Sequence, residues 1–246
     1  MTAVRIWPAT FPDTQEACPV FVHVSVSRPL QRRWTTALLV VLCVLSFTLL
    51  KLSSTAHETA WILRWGTVPS VLFEGQGPWY RRMLDPDALR LLTALFIHAS
   101  WLHLLGNMLF LVIFGLDGER VLGPRRFLAL FLTGGIAANL VGAMTLATAH
   151  APIIGCSGAV SAVVGAYLVL FPRARLGVVL PLGLFMEFVR VPAALLIALW
   201  VLLQLLFTYA GPGFGEVVWW SHIAGFIYGI GFALLSRNAV LRRMRR

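Results

Sequence analysis

Six long apolar runs constrain this chain more than any other feature. They fall at about 34–50, 91–116, 127–149, 157–171, 192–209 and 219–235. A helix rises about 1.5 Å per residue, and about 20 apolar residues carry it across a hydrocarbon layer about 30 Å thick. A soluble chain of 246 residues buries one core and has no use for six such runs. With 59% apolar and 12% charged residues, the expected fold class is all-α and polytopic, a bundle of six transmembrane helices. The expected organisation is an N-terminal arm at 1–33, one membrane domain at 34–236 and a basic tail at 237–246. Pro8, Pro12, Pro19 and Pro29 make the arm irregular, with a short strand through 20–26, and it lacks the layout of a cleaved signal peptide.

Two connections draw attention. Between 51 and 89, apolar patches (Trp61-Ile62-Leu63 and Val71-Leu72-Phe73) alternate with charges, a pattern that predicts helices lying on the membrane surface. The stretch 176–189 is apolar but short, and Pro181 interrupts it. It reads as an interfacial connector or the opening of the next helix. Cys18, Cys43 and Cys156 have no CxxC spacing, so they read as small buried hydrophobes, without disulfide or zinc knuckle.

The formal net charge of +10 raises the question of nucleic acid. Its distribution answers it. With the spans above, fifteen Arg fall on one side, among them Arg120, Arg125, Arg126, Arg173, Arg175, Arg237, Arg242 and Arg243. Only Lys51, Arg64, Arg81, Arg82 and Arg90 fall on the other. That is the positive-inside bias, which predicts both termini in the cytoplasm, a lipid bilayer as partner and no nucleic acid.

The fourth run holds the chemistry. It opens as Gly155-Cys156-Ser157-Gly158 and is short enough that Ser157 begins beneath the outer surface. Residues 150–156 would then dip in as irregular backbone, which is tolerated only around a protein-lined cavity. Polar groups at such depth are costly and read as functional by default. A serine hydroxyl needs a general base, and His222, in the first turn of the sixth run, is at a similar depth. Gly225 and Gly229 follow His222 at i+3 and i+7, while Gly158, Ala162 and Gly165 line the fourth run. Small residues let helices approach closely, as a Ser–His hydrogen bond demands.

Acyl transfer also needs donors for a developing oxyanion. His103 and Asn107 share one helix face at a spacing of four, and the backbone N–H of Ser157 is a third donor. His98 reads as a support for the loop. A metal set of His98, His103 and His222 lacks a carboxylate or thiolate and the i, i+4 pair of a zinc helix, so no metal and no cofactor is expected. No carboxylate faces these groups, which leaves a Ser–His dyad.

These residues resemble the rhomboid family of intramembrane serine proteases over about 60–235. Gly155-Cys156-Ser157-Gly158 is similar to its GxSG, and His222, Gly225 and Gly229 to its HxxGxxxG. His103 and Asn107 resemble its HxxxN, and Gly115, Glu119 and Gly123 its GxxxExxxG. Pro172-Arg173-Ala174-Arg175 and Trp200-Val-Leu-Leu-Gln204 resemble stretches of bacterial members, which implies a bacterial cytoplasmic membrane. The resemblance implies transmembrane protein substrates cleaved near the outer face, with small residues around the scissile bond. Two positions depart from the pattern. Leu89-Arg90 stands where the family has Trp-Arg, and Ser161 where some members stack a tyrosine on the histidine, leaving open what orients His222. The alternative function is a catalytically silent protein that binds membrane helices for quality control. A transporter would show internal repeats and broken helices in both halves, and the chain has neither.

Overall fold

The computed structural model describes residues 34–73, 85–182, 185–210 and 219–244. The arm at 1–33, with its expected strand at 20–26, lies outside the described residues. The first run forms α1 (Trp34–Lys51). Its free N-terminal N–H groups are closed by a distant carboxylate. Glu119, 2% exposed, accepts from the Thr35 N–H at 2.9 Å, the Thr36 N–H at 2.8 Å and the Thr36 hydroxyl at 2.7 Å. Anionic acceptors at a helix N-terminus are favoured by the peptide dipoles as well as by the hydrogen bonds.

The following loop holds two short helices, as its alternating patches predict. In α2 (Thr55–Trp65) the Ser54 side chain caps the His57 N–H, and the helix ends at Gly66. After it comes α3 (Pro69–Phe73). Arg90 ties this loop inward, donating to Asp87 at 2.9 Å and to the Leu63 carbonyl at 2.8 Å.

The second run is not one helix. After a turn at Pro86–Leu89, its first part folds as α4 (Arg90–Thr93) and a tight turn at Ala94–Phe96, and the chain then opens at 97–100. The reason is local: Ser100 adopts an extended conformation and its side chain caps the His103 N–H at 3.2 Å, so a new helix starts there. That helix, α5 (Trp101–Leu122), runs past the expected end at 116 and stops at Gly123, whose φ of 81° suits a residue without Cβ. Pro124 then opens α6 (Pro124–Thr145), the proline-first arrangement that helices favour. The third run therefore begins three residues before 127 and ends four before 149.

Residues 146–156 are irregular, as expected of the segment before Ser157. They are pinned by paired backbone hydrogen bonds between Thr67 and Ile153 and by the Gly155 N–H on the Ala94 carbonyl at 2.9 Å. Next comes α7 (Ser157–Leu170), buried along most of its length. The stretch after it is neither of the forms expected. It is an antiparallel hairpin, β1 (Arg175–Leu182) against β2 (Phe185–Pro192), running from the Arg175–Pro192 pair to the Leu182–Phe185 pair. Too short to span as a helix and rich in valine and phenylalanine, the sequence suits strands, and it qualifies the all-α expectation. Then follow α8 (Ala193–Ala210) and α9 (Trp219–Met244). The last helix continues into the expected basic tail, through 237–244.

The fold is thus mostly helical. Among the described residues, α1, α5, α6 and α9 are long and apolar enough to cross a membrane, and α7 and the 193–206 part of α8 are shorter apolar helices. Their outer faces carry exposed leucines, among them Leu102, Leu105 and Leu109 on α5 and Leu195, Leu199, Leu202 and Leu206 on α8. Contiguous apolar surface of this kind is a lipid contact.

Around α7 the helices touch backbone to backbone. A Cβ at Gly225 would collide with the Gly158 carbonyl, one at Gly229 with the Ala162 carbonyl, and one at Gly165 with the Phe226 carbonyl. On the other side, a Cβ at Gly134 of α6 would come within 2.6 Å of Ala162 Cβ. Gly229→Val should therefore force α7 and α9 apart and cost at least about 1–3 kcal/mol. Gly231→Ala, where a Cβ meets nothing within 4 Å, should leave the melting temperature of the detergent-solubilised protein unchanged. Equal melting of the two variants would refute this account of the contact.

Candidate active site

The close contact of α7 and α9 brings together the groups that the sequence singles out. Ser157 is the first residue of α7, and His222 lies in the first turn of α9. Ser157 Oγ and His222 Nε2 stand 2.8 Å apart. Ser157 is held beside Gly158, where a Cβ would come within 2.5 Å of Ala138 and 3.1 Å of the Ser221 hydroxyl. One turn on, the Ser161 hydroxyl donates back to the Ser157 carbonyl at 2.7 Å. Ser161 is therefore engaged with its own helix rather than with the imidazole.

Two groups orient His222 instead. Gln204 of α8, 7% exposed, puts its Oε1 3.0 Å from His222 Nδ1. An amide oxygen only accepts, so Nδ1 carries the proton and Nε2 is left with its lone pair toward the serine hydroxyl. Trp219, three residues before the histidine, meets its ring edge-on at 5.8 Å and 86°. Gln204 lies in the Trp200–Gln204 stretch that resembles bacterial members, where no part in the site is expected of it. Its signal was available: a lone amide in an otherwise apolar helix is costly in lipid unless it has a task.

His103 and Asn107 project from the first turns of α5 toward the loop that leads into Ser157. Gly155 has φ of 105°, and a Cβ there would lie 2.5 Å from His103 Nε2 and 3.8 Å from Asn107 Nδ2. No side chain larger than hydrogen fits between them. Asn107 Nδ2 is buried and has no hydrogen-bond partner among the described residues. Such an unpaired donor carries a desolvation penalty of about 1–3 kcal/mol.

His98 sits in the break before α5, 1% exposed, with its ring edge-on to His103 at 5.1 Å and 65°. Its Nε2 lies 3.5 Å from Cys156 Sγ. His98 thus packs against the residue before Ser157. Gly225 and Gly229 support the site through the helix contact already described. Among the described residues, the metal-type donors that converge are Cys43, His98 and Cys156, not His98, His103 and His222.

Comparison with known proteins bears on this geometry. A family model described as the Rhomboid domain matches residues 85–239, more than half of the chain. Rhomboid protease GluP of Bacillus subtilis (strain 168) is 28% identical over 171 residues, covering 65% of this chain and 31% of that protein. Putative rhomboid protease YdcA of the same organism is 36% identical over 90 residues, 36% of this chain and 45% of that one. Inactive rhomboid protein 1 of Drosophila melanogaster is 38% identical over 86 residues, 35% of this chain and 6% of its own length. In each case the match spans less than half the length of the relative. The domain match covers every helix from α4 to all but the last turns of α9, and with it the serine, the histidines and the glycine contacts. This multi-pass integral membrane protein belongs to the rhomboid family.

Proposed function

We propose that this protein is an intramembrane serine endopeptidase that cleaves transmembrane segments of other proteins through a Ser157–His222 dyad. The observation that carries the reading is the 2.8 Å approach of Ser157 Oγ to His222 Nε2, with Gln204 on the far ring nitrogen. In the reaction, His222 Nε2 takes the hydroxyl proton as Ser157 Oγ attacks the scissile carbonyl. The imidazolium so formed keeps its Nδ1–H on Gln204 and passes the new proton to the leaving amine. Water then attacks the acyl-enzyme by the same route in reverse. His103, Asn107 and the Ser157 amide N–H supply donors to the tetrahedral oxyanion.

Substrate access has a physical counterpart. An apolar groove of about 400 Å³ runs along α7, α8 and α9, lined in part by Leu168, Ile197, Val201, Leu205 and Phe226. Phe226 lies one turn below His222, so a helix lodged in the groove would bring its end toward the dyad. For the membrane arrangement we propose six crossings, α7 and α8 adding to the four long helices, within a domain of about 34–236. Arg243 packs against Gly123, so the end of α9 and the α5–α6 turn, with Arg120, Arg125 and Arg126, share one end of the bundle. Charge bias makes that end cytoplasmic, in a bacterial inner membrane, with the dyad toward the outer face.

The second reading, a silent helix-binding protein, is favoured by the likeness to a relative named as inactive. A fluorophosphonate probe distinguishes the two. It should label the wild type and fail on Ser157→Ala; no labelling of a folded wild type would favour the silent reading. Ser157→Ala and His222→Ala should each abolish cleavage of a transmembrane substrate while leaving insertion intact, and near-normal turnover by either would sink the dyad.

Asn107→Ala should lower kcat by about 10²–10³ with little change in KM, because its donor meets charge present only in the transition state. A variant that melts early but keeps its kcat would make Asn107 a packing residue.

Gln204→Leu should lower kcat at constant KM by releasing the imidazole tautomer. Gln204→Glu should retain activity and move the acidic limb of the rate profile to higher pH, since an anionic acceptor favours the imidazolium. A Leu variant with wild-type kcat would remove Gln204 from the mechanism.

A further inference from the structure

Three donors lie together just outside the catalytic groups. Cys43 comes from the middle of α1, His98 from the break before α5, and Cys156 from the residue immediately before Ser157. All three are buried, at 0%, 1% and 0% exposure. Their ligand atoms lie within 4.8 Å of one another. Both thiols are free, and the remaining ring nitrogen of His98 has no hydrogen-bond partner among the described residues. Nothing in the proposed proteolysis uses either sulfur.

We propose that Cys43, His98 and Cys156 form a binding site for a thiophilic divalent cation, zinc being the natural fit. The dimensions are right. Zinc binds sulfur at about 2.3 Å and imidazole nitrogen at about 2.0–2.1 Å, so a tetrahedral S–Zn–N edge is about 3.5 Å long. The Cys156 Sγ to His98 Nε2 distance is 3.5 Å. Only Cys43 has to close in, by about 1 Å or less if its sulfur lies at the outer limit of the cluster. The charge also balances. Zn²⁺ displaces one proton from each thiol, two protons leave to water, and two thiolates with a neutral imidazole cancel the ion's charge. The site is then neutral, which its apolar surroundings require, and a soft sulfur–nitrogen donor set disfavours magnesium and calcium. The fourth position stays open to water or a small ligand. An occupied site would tie α1 to the loop that carries Ser157, joining two elements that are 113 residues apart in sequence.

The test needs no proteolysis, so it stands or falls apart from the enzymatic reading. The reduced full-length protein carrying Cys18→Ser, which removes the third thiol, is titrated in detergent with Co²⁺ as a spectroscopic probe. One equivalent should bind, with a thiolate-to-cobalt charge-transfer band and the visible absorption of a four-coordinate ion, and Zn²⁺ should displace it. Zinc should also raise the melting temperature of this protein. Both effects should vanish in Cys43→Ala and in Cys156→Ala. Cys43→Ser, closest in shape to the cysteine, keeps the test decisive if the alanine variants fold poorly, and it too should lose the band. Absence of a charge-transfer band at stoichiometric cobalt would overturn the site. So would a band that persists undiminished in the folded Cys43 variants, since the sulfur from α1 would then be no ligand.

Discussion

Everything at the site depends on how closely α7 and α9 approach. Three glycines leave no room for a side chain where the helices cross, because the facing atom in each case is a backbone carbonyl. Carbonyls cannot rotate away as side chains can, so the helix separation is fixed by main-chain atoms alone. In lipid there is no hydrophobic drive to press two apolar helices together, and van der Waals contact between small residues must supply it. The consequence is chemical. Ser157 and His222 each lie at the start of a helix, and the distance between them inherits the rigidity of the glycine contact three and seven residues further along α9.

Buried polar groups away from the dyad have a different character. Glu119 closes the N-terminus of α1 with three hydrogen bonds. Asn139 donates from α6 to the Leu91 carbonyl at 2.9 Å. Both groups satisfy backbone atoms that would otherwise be stranded in apolar surroundings, and both join segments distant in sequence. Asn107 is their opposite: also buried, close to the loop before Ser157, and with a donor that has no partner among the described residues. On the proposed mechanism, this open donor would meet the negative charge that develops on the oxyanion.

Much of this was legible in the sequence, because lipid makes long apolar runs unambiguous and makes a serine or histidine within them conspicuous. Four helices and the start of α7 lie close to where hydropathy puts them. The errors fall where local conformation overrides hydropathy. Residues 91–100 are as apolar as the helix that follows, yet Ser100 caps a new start, and no hydropathy count detects a cap. Residues 175–192 have too few apolar residues to span and enough β-formers to pair, yet hydropathy points to a connector or the start of the next helix, because a strand's partner is not visible in it. The Cys43–His98–Cys156 cluster and the partner of Gln204 are hidden for a deeper reason. Spacing along the chain reports which residues share a helix face, and each of these contacts joins different elements.

The choice of an amide at Gln204 follows from the medium. In a water-exposed site a carboxylate behind the histidine can both orient the ring and stabilise the imidazolium. Buried away from water, an ionised carboxylate that lacks its partner in the resting state carries a heavy desolvation cost. A neutral amide gives up part of the stabilisation of the imidazolium but, with its Oε1 turned to Nδ1, holds the proton on that nitrogen. The ring is then oriented before substrate arrives, and the loss in electrostatic support falls to the donors on α5 and at the Ser157 amide to recover. On the proposed mechanism, Ser157, His222, Gln204 and the donors on α5 form one arrangement of polar groups, stationed so that charge would appear only where they converge.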